Sequence, residues 1–250
     1  MTHVLAFVDN SAAARPVFET ASAIAPLFDA SAEAVHVVED GPDSVAALLA
    51  GLGVPVRILH GDPVGEIVTA SSADDVVAVV VGARDLPTGG RPVGHVAVAL
   101  ADAAPVPVLV VSPDAPMTAR PRRVLIAMKG TPRNARRLRT ALRVAADAQL
   151  DIVVLHVDEP ETIPPFSDQV QYEADAYARE FLRRHLPGIS GARLENRVGI
   201  ATEEILRAAD EQHPDLVALG WSRPDDPGRS DVAREVLGRC RIPVLLVGTT

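Results

Sequence analysis

The chain has 250 residues and a formal net charge of -9 at pH 7, and 48% of its residues are hydrophobic while only 3% are aromatic. Its core must therefore be built from Val, Leu, Ile and Ala, the residues typical of parallel sheets covered on both faces. The negative charge argues against non-specific binding to nucleic acid or to an anionic membrane, although it leaves a local basic pocket open. The single cysteine, Cys240, excludes an intrachain disulfide.

The apolar segments of the chain are all short. None approaches the roughly 18 consecutive apolar residues that a membrane-spanning helix needs. The chain also passes from Met1 directly into an apolar strand, without the basic segment that opens a secretory signal. We therefore expect a cytoplasmic protein that has neither a membrane nor a nucleic acid as its partner.

Apolar runs alternate with helical patterns through the first half of the chain. The run 3–8 predicts an inner strand, and Asp9, Asn10 and Ser11 are good N-cap residues for a helix over 12–25. Pro55 lacks an amide donor, so the strand that contains it is expected at a sheet edge. The other predicted elements are strands at 34–38, 54–60, 76–81 and 106–111, and helices at 44–52, 63–72 and 93–103.

The pattern restarts after a polar, proline-rich segment. Residues 123–128 match the first strand and residues 154–157 match the second, each displaced by about 120 positions. The displacement then grows, because the second copy carries a long helix-like segment at 168–186 between its second and third strands. We predict two domains, at 1–113 and 122–250, joined by a semi-rigid linker at 114–121.

Strands that alternate with helices imply right-handed crossovers and a parallel sheet covered on both faces. In such sheets a ligand binds outside the C-terminal ends of the strands, where the winding direction reverses. If the first strand neighbours the fourth at this point, Asp9 and the loop after Gly82 converge. That loop is rich in glycine and arginine and precedes a helix N-terminus, which favours phosphate binding; a solvated connection is the alternative.

These features resemble the universal stress protein family over nearly the whole chain, twice. The resemblance rests on Asp-x-Ser after the first strand, Val-His-Val-Val in the second, Gly-Asp-Pro before the third helix, and the terminal Pro-Val-Leu-Val-Val. It implies an α/β fold of two tandem domains, each an open five-stranded parallel sheet in the order 3-2-1-4-5 with helices on both faces. ATP-binding members carry Gly-x2-Gly-x9-Gly-Ser/Thr after the fourth strand.

The resemblance also implies a site in the first copy. An aspartate that ends strand one contacts the nucleoside in that family, and a valine that ends strand two contacts the base. This copy departs from the glycine motif at Asp85, at His95 and in a loop one residue shorter, which predicts weakened ATP binding. The implied site, with Arg84 as a source of countercharge, consists of Asp9, Val37, Gly82, Arg84, Gly94, His95 and Val96.

The second copy departs further from the motif. Lys129 replaces the strand-one aspartate, Arg223 replaces the second glycine, and Ser230-Asp231 replaces the Gly-Ser pair. We therefore expect that this half does not bind ATP. Lys129, the only lysine in the chain, either pairs with a carboxylate or an anion or lies in solvent.

Three functions remain open at this stage. The first is a non-catalytic, adenine-nucleotide-binding stress protein. The second is a nucleotide-independent interaction scaffold, in which 106–111 pairs with 242–247 inside one chain or strand five pairs between two chains of a homodimer. The third is slow ATP hydrolysis, for which the sequence offers no identifiable general base, so we expect no enzyme.

His36 and His156 hold equivalent positions in the two copies, and hydrogen-bonded core histidines are expected there rather than metal ligands.

Overall fold

The computed structural model describes residues 1–38, 51–83, 95–116, 119–158, 170–221 and 229–248. Most of the helix predicted over 44–52 and the glycine- and arginine-rich loop at 84–94 lie outside these ranges. The strands are β1 (Thr2–Phe7), β2 (Ala30–Val38), β3 (Val56–His60), β4 (Val76–Gly82), β5 (Val108–Val111), β6 (Arg123–Ala127), β7 (Asp151–Asp158), β8 (Arg193–Val198), β9 (Leu216–Gly220) and β10 (Val244–Val247).

Helices follow most of the strands. They are α1 (Ala14–Ile24), α2 (Pro63–Ser71), α3 (His95–Ala103), α4 (Pro132–Asp147), α5 (Val170–His185), α6 (Ala201–Gln212) and α7 (Arg229–Arg239), with a short 3-10 turn at Ala25–Phe28. The long helix-like segment predicted in the second copy is α5. No helix in the described ranges is both long enough and apolar enough to span a bilayer.

All ten strands belong to one sheet, in the order β3-β2-β1-β4-β5-β10-β9-β6-β7-β8. Each half keeps the expected order 3-2-1-4-5 and is parallel throughout. The expectation of two separate five-stranded sheets is therefore wrong. The cause lies in the fifth strands, because β5 and β10 pair with each other and join the two halves into one continuous sheet.

The join between the halves is antiparallel. Its register places Val110 opposite Val244, Leu109 opposite Leu245 and Val108 opposite Leu246. This is the internal pairing of 106–111 with 242–247 that the sequence offers as an alternative, shortened at its start to 108 and 244. Pro107 and Pro243 cannot donate, but their carbonyls accept from Val79 and Val217, each at 3.0 Å.

The hydrophobic core has two layers, one on each face of the sheet. Successive residues of a strand point to opposite faces, so Val4 and Ala6 join one layer while Leu5 and Phe7 join the other. Helices α1 and α4 cover the first face, and α3, α6 and α7 cover the second. Each layer continues through the β5–β10 join, so both halves contribute to the same two cores.

Capping residues fix where several helices begin. The side chain of Asp62 accepts from the backbone of Gly65 at the start of α2, and Thr131 accepts from the backbone of Asn134 at the start of α4. A proline follows each cap at the first helical position. Strand β2 begins at residue 30 rather than at 34, because Asp29 adopts a left-handed conformation that ends the preceding turn.

Strand β3 lies at the outer edge of the first half, which confirms the prediction from Pro55. It begins at Val56, directly after that proline.

Candidate functional site

The first half brings its predicted strand-end residues to one edge of the sheet. Strand β1 pairs with β4 on one side, Ala6 opposite Val80, and with β2 on the other, Phe7 opposite Val35. The winding direction reverses between β1 and β4, as expected for a ligand-binding edge. Asp9, Val37 and Gly82 follow Phe7, Val35 and Val80, respectively, by two residues. They therefore lie together at the C-terminal ends of β1, β2 and β4.

Asp9 is held in a turn between β1 and α1. Its Oδ1 accepts from the backbone N–H of Ser11 at 2.9 Å, and the Ser11 hydroxyl in turn accepts from the backbone of Ala13 at 3.1 Å. These local bonds start α1 and fix the carboxylate at the mouth of the edge. Among the residues that the structure describes, none donates to Oδ2 of Asp9.

Two equivalent histidines join the ends of strands one and two in each half. His36 Nδ1 donates to the Val8 carbonyl at 2.7 Å, and His156 Nδ1 donates to the Met128 carbonyl at 2.8 Å. His36 is buried. Both histidines are therefore structural hydrogen-bond donors, as predicted, and no group of three metal-ligating side chains occurs in the described part of the chain.

The phosphate side of the predicted site lies mostly outside the described residues. Arg84 and Gly94 lie outside the residues that the structure describes. For His95, the structure describes only the backbone, at the start of α3. Val96 lies in the first turn of α3, half-buried against the second core layer. The structure thus brings together Asp9, Val37 and Gly82.

The same edge of the second half is filled by protein side chains. Gly130 follows Lys129 with φ of +54°, and a Cβ there would lie 3.1 Å from Phe181 and 3.2 Å from His156. Phe181 comes from α5 and is 5% exposed. An aromatic ring therefore lies against the end of β6, beside the exposed Lys129, which has taken the place of Asp9.

A second side chain fills the point between β6 and β9. A Cβ on Gly220 would lie only 2.5 Å from the Asn134 amide nitrogen. Asn134 also accepts from the backbone of Lys129 through Oδ1 at 3.1 Å, so its side chain bridges the two strand ends. The burial pattern of α1 recurs in α4 with Ala14 matching Ala135 and Val17 matching Leu138, which assigns Ala13 to this position in the first half.

The ring of Phe181 is part of a small aromatic cluster. Its centroid lies 4.9 Å from His156, 4.6 Å from His185 and 5.9 Å from Tyr177, so Tyr177 and Phe181 share one face of α5. Burial raises the pKa of Tyr177, and the charge of Asp158 adds to this effect. Burial lowers the pKa of His185, helped by the charges of Arg184 and His156.

Trp221 links the two halves directly. It follows β9, is 1% exposed, and its indole N–H donates to the Asp102 carboxylate in α3 at 2.7 Å. Beside this contact, a cleft of about 560 Å³ separates the end of α3 from α4 and is lined in part by Arg133 and Arg136. Neither feature touches the edge that holds Asp9.

Sequence reasoning identified the strand ends but missed what fills them. The spacing of Tyr177 and Phe181 predicts packing of this helix without a partner for Phe181, and no motif in the sequence singles out Asn134. The alanines at 12–14, which align with Asn134 at a displacement near 120, carried a signal for the second. No comparable signal existed for Phe181, because α5 has no described counterpart in the first half.

Comparison with known proteins supports the repeat. A profile of the universal stress protein family matches residues 44–112 and 121–248, which together form more than three quarters of the chain. None of the curated proteins that were compared with the chain matches it.

Solved structures share the fold over the full length of the chain. A universal stress protein from Archaeoglobus fulgidus DSM 4304 superposes with a TM-score of 0.67 at 18% identity, covering 98% of each chain. A putative universal stress protein from Pseudomonas aeruginosa UCBPP-PA14 gives a TM-score of 0.68 at 18% identity, covering 99% of this chain and 93% of its own. Together with the two profile matches, the duplicated strand order shows that this chain belongs to the universal stress protein family.

Proposed function

We propose that the first half of this protein binds an adenine nucleotide, ATP, at the C-terminal edge of β1, β2 and β4. The observation that carries the proposal is the convergence of Asp9, Val37 and Gly82 at the point where the sheet reverses its winding direction. Family membership supports this class of ligand, and the converging strand-end residues support this location.

Each residue has a physical role in this proposal. The Asp9 carboxylate, oriented by Ser11, keeps Oδ2 for a nucleoside hydroxyl. Val37 offers a half-buried apolar surface for the base. The remaining proposed contacts, from Arg84, Gly94, His95 and Val96, would hold the phosphates at the start of α3.

The contrast between the halves supports a single site. In the second half, Asn134 and Phe181 occupy the space beside the ends of β6 and β9. In the first half, the small residue Ala13 corresponds to Asn134, as the burial of the two helices shows. We therefore propose that only the first half accepts the nucleotide.

ATP titrated into the protein during thermal unfolding tests this proposal. At about 100 times its dissociation constant, ATP should stabilise the folded state by about 2.7 kcal/mol. Asp9→Asn keeps the acceptor for Ser11 but loses the charge, so it should weaken ATP binding at least tenfold. Lys129→Ala, which alters the equivalent position of the second half, should leave ATP binding unchanged. An unfolding temperature that does not respond to millimolar ATP would refute nucleotide binding.

The proposed role is binding without turnover. The Asp9 carboxylate already accepts from the backbone of Ser11 through one of its oxygens. Phosphate release from ATP should therefore stay at the rate that heat-denatured protein gives. Release that depends on folded protein and disappears in Asp9→Asn would assign a hydrolase instead.

A nucleotide-independent scaffold is the second candidate, favoured by the continuous sheet. Strands β5 and β10 use each other's pairing edges, so the chain has the internal join that the scaffold hypothesis needs. A monomer that is purified without bound nucleotide and ignores ATP would support this candidate. A homodimer in a mass measurement would require a contact other than the strand-five join.

A further inference from the structure

A groove between α4 and the segment that follows α5 is lined by four arginines. It encloses about 270 Å³. Arg136, Arg139 and Arg143 reach it from α4, and Arg184 faces it from the end of α5. We call this feature the arginine groove.

Helical spacing places three of these arginines in one row. Positions i, i+3 and i+7 of a helix share a face, so the row formed by Arg136, Arg139 and Arg143 extends about 10 Å along α4. The groove also contains apolar side chains that are almost fully buried, Ala135, Leu142 and Leu186. Charges beside such a surface interact more strongly than charges surrounded by water.

The arginines of the groove differ from six other arginines of this half, which form ion pairs. Within the described ranges, Arg136, Arg139 and Arg143 have no carboxylate partner, and Arg184 interacts electrostatically with Glu180, which Arg183 binds directly. The chain nevertheless carries 33 acidic residues against 24 basic ones, and acidic partners are bound by Arg123, Arg183, Arg193, Arg197, Arg207 and Arg239. Like charges at i, i+3 and i+4 repel one another, which destabilises α4 unless an anion compensates.

His185 lines the same groove. Burial lowers its pKa, and the neighbouring charges of Arg184 and His156 lower it further. The groove therefore already disfavours additional positive charge. A bound anion would reverse this electrostatic effect.

We propose that the arginine groove binds a short oligophosphate chain, either free or as the phosphate part of a nucleotide. Arginine recognises phosphate through paired N–H donors, and an oligophosphate concentrates several negative charges in a small volume. The groove lies near the lower limit of small-ligand pockets in size, so it suits a compact anion. An acidic peptide, in contrast, distributes single carboxylates along an extended backbone. This site belongs to the second half and does not depend on nucleotide binding at Asp9.

Calorimetric titration of the full chain with inorganic tripolyphosphate tests the proposal. Arg139→Gln should weaken binding about tenfold, the effect of losing one charge-assisted hydrogen bond. Arg143→Gln should do the same. Arg179→Gln is the matched control, because it removes an equally exposed arginine of α5 that does not line the groove, and it should leave the affinity unchanged.

ATP titrated into the Asp9→Asn protein distinguishes the two sources of the phosphate chain. If ATP binds with the same affinity as tripolyphosphate, the groove recognises a free oligophosphate. If ATP binds more tightly and Arg139→Gln weakens this binding too, the groove recognises a nucleotide. Tripolyphosphate that does not bind at low salt would overturn the proposal. Equal losses in Arg139→Gln and Arg179→Gln, or a tetraglutamate peptide that binds where tripolyphosphate does not, would overturn it as well.

Discussion

Two pairs of equivalent residues separate the halves of this protein at the level of single side chains. Asp9 corresponds to Lys129, and Ala13 corresponds to Asn134. The first pair reverses the charge at the end of strand one. The second replaces a methyl group by an amide that bridges Lys129 and Gly220. Because of these two exchanges, protein side chains fill the strand-end edge of the second half, although the strands keep the same order in both halves.

The sequence was sufficient to find the first pair but not the effect of the second. A constant displacement of 120 aligns strand one in both copies, so the exchange of Asp9 for Lys129 could be read directly. The bridging role of Asn134 depends on the distance between the ends of β6 and β9, which only the folded chain specifies. His36 and His156 each donate to a carbonyl at the end of strand one. The sequence predicted that these histidines form hydrogen bonds, but it did not identify the acceptors.

Cys240 provides a prediction at this scale, because it is the only thiol in the chain. Burial raises its pKa from 9.0 to about 11. The thiolate is the reactive form, so at pH 8 a thiol reagent should label the folded protein about a hundredfold more slowly than the unfolded chain. Labelling followed with increasing denaturant measures this difference. Equal rates in folded and unfolded protein would contradict the burial of Cys240.

The same shift has a consequence for stability. The pKa of Cys240 is higher in the folded protein than in the unfolded chain, so the folded protein keeps the thiol proton to a higher pH. The contribution of this proton to stability is complete below pH 9 and is lost as the pH rises toward 11. Between pH 9 and pH 11, the free energy of unfolding of Cys240→Ala should therefore decrease less than that of the natural protein.

At the scale of elements, α5 is the main difference between the copies. Its existence followed from a long helix-like segment at 168–186, and the structure confirms it as Val170–His185. Its docking did not follow from the sequence. The face that carries Tyr177 and Phe181 predicts packing, but the partners of Phe181 come from the ends of β6 and β7, which lie far from it in the chain.

Phe181 should contribute strongly to the stability of the second half. Phe181→Ala removes a ring that is 5% exposed and touches three other rings, so we expect it to reduce the free energy of unfolding by about 3 kcal/mol. Tyr177→Ala, one turn earlier and 43% exposed, should cost about 1 kcal/mol or less. Denaturant unfolding of both variants measures the difference, and similar losses would argue against the docked position of Phe181.

At the scale of the whole molecule, the order of strands within each half followed from the family resemblance, whereas the join between the halves was predicted only as one of two alternatives. Apolar runs at 106–111 and 242–247 indicate buried strands, but they do not decide between pairing inside one chain and pairing between two chains. The pairing of β5 with β10 lies inside one chain. The outer edges are β3, which follows Pro55, and β8, which carries Arg193, Glu195 and Arg197, a composition that discourages further pairing.

The continuous sheet predicts that both halves unfold together. Both core layers cross the β5–β10 join, and Trp221 contacts Asp102 across it. Unfolding followed by the fluorescence of Trp221, the single tryptophan, should therefore coincide with unfolding followed by circular dichroism.

Asp102→Ala tests the same coupling. It leaves the buried indole N–H of Trp221 without its acceptor, and it should shift both unfolding transitions equally, by about 1–3 kcal/mol. Asp74→Ala, at an exposed carboxylate, is the control and should shift neither. Two separated transitions in the natural protein would show that the halves are independent.

The antiparallel join also determines the direction in which each half faces. Since β5 and β10 run in opposite directions, the strand ends beside Asp9 and those beside Lys129 lie on opposite edges of the sheet. No small ligand can reach both edges at once, and residues of one edge cannot complete a site at the other. Mutations at the second edge could therefore accumulate without disturbing the first. This geometry allows a duplicated protein to keep one receptor edge and release the other for a different use.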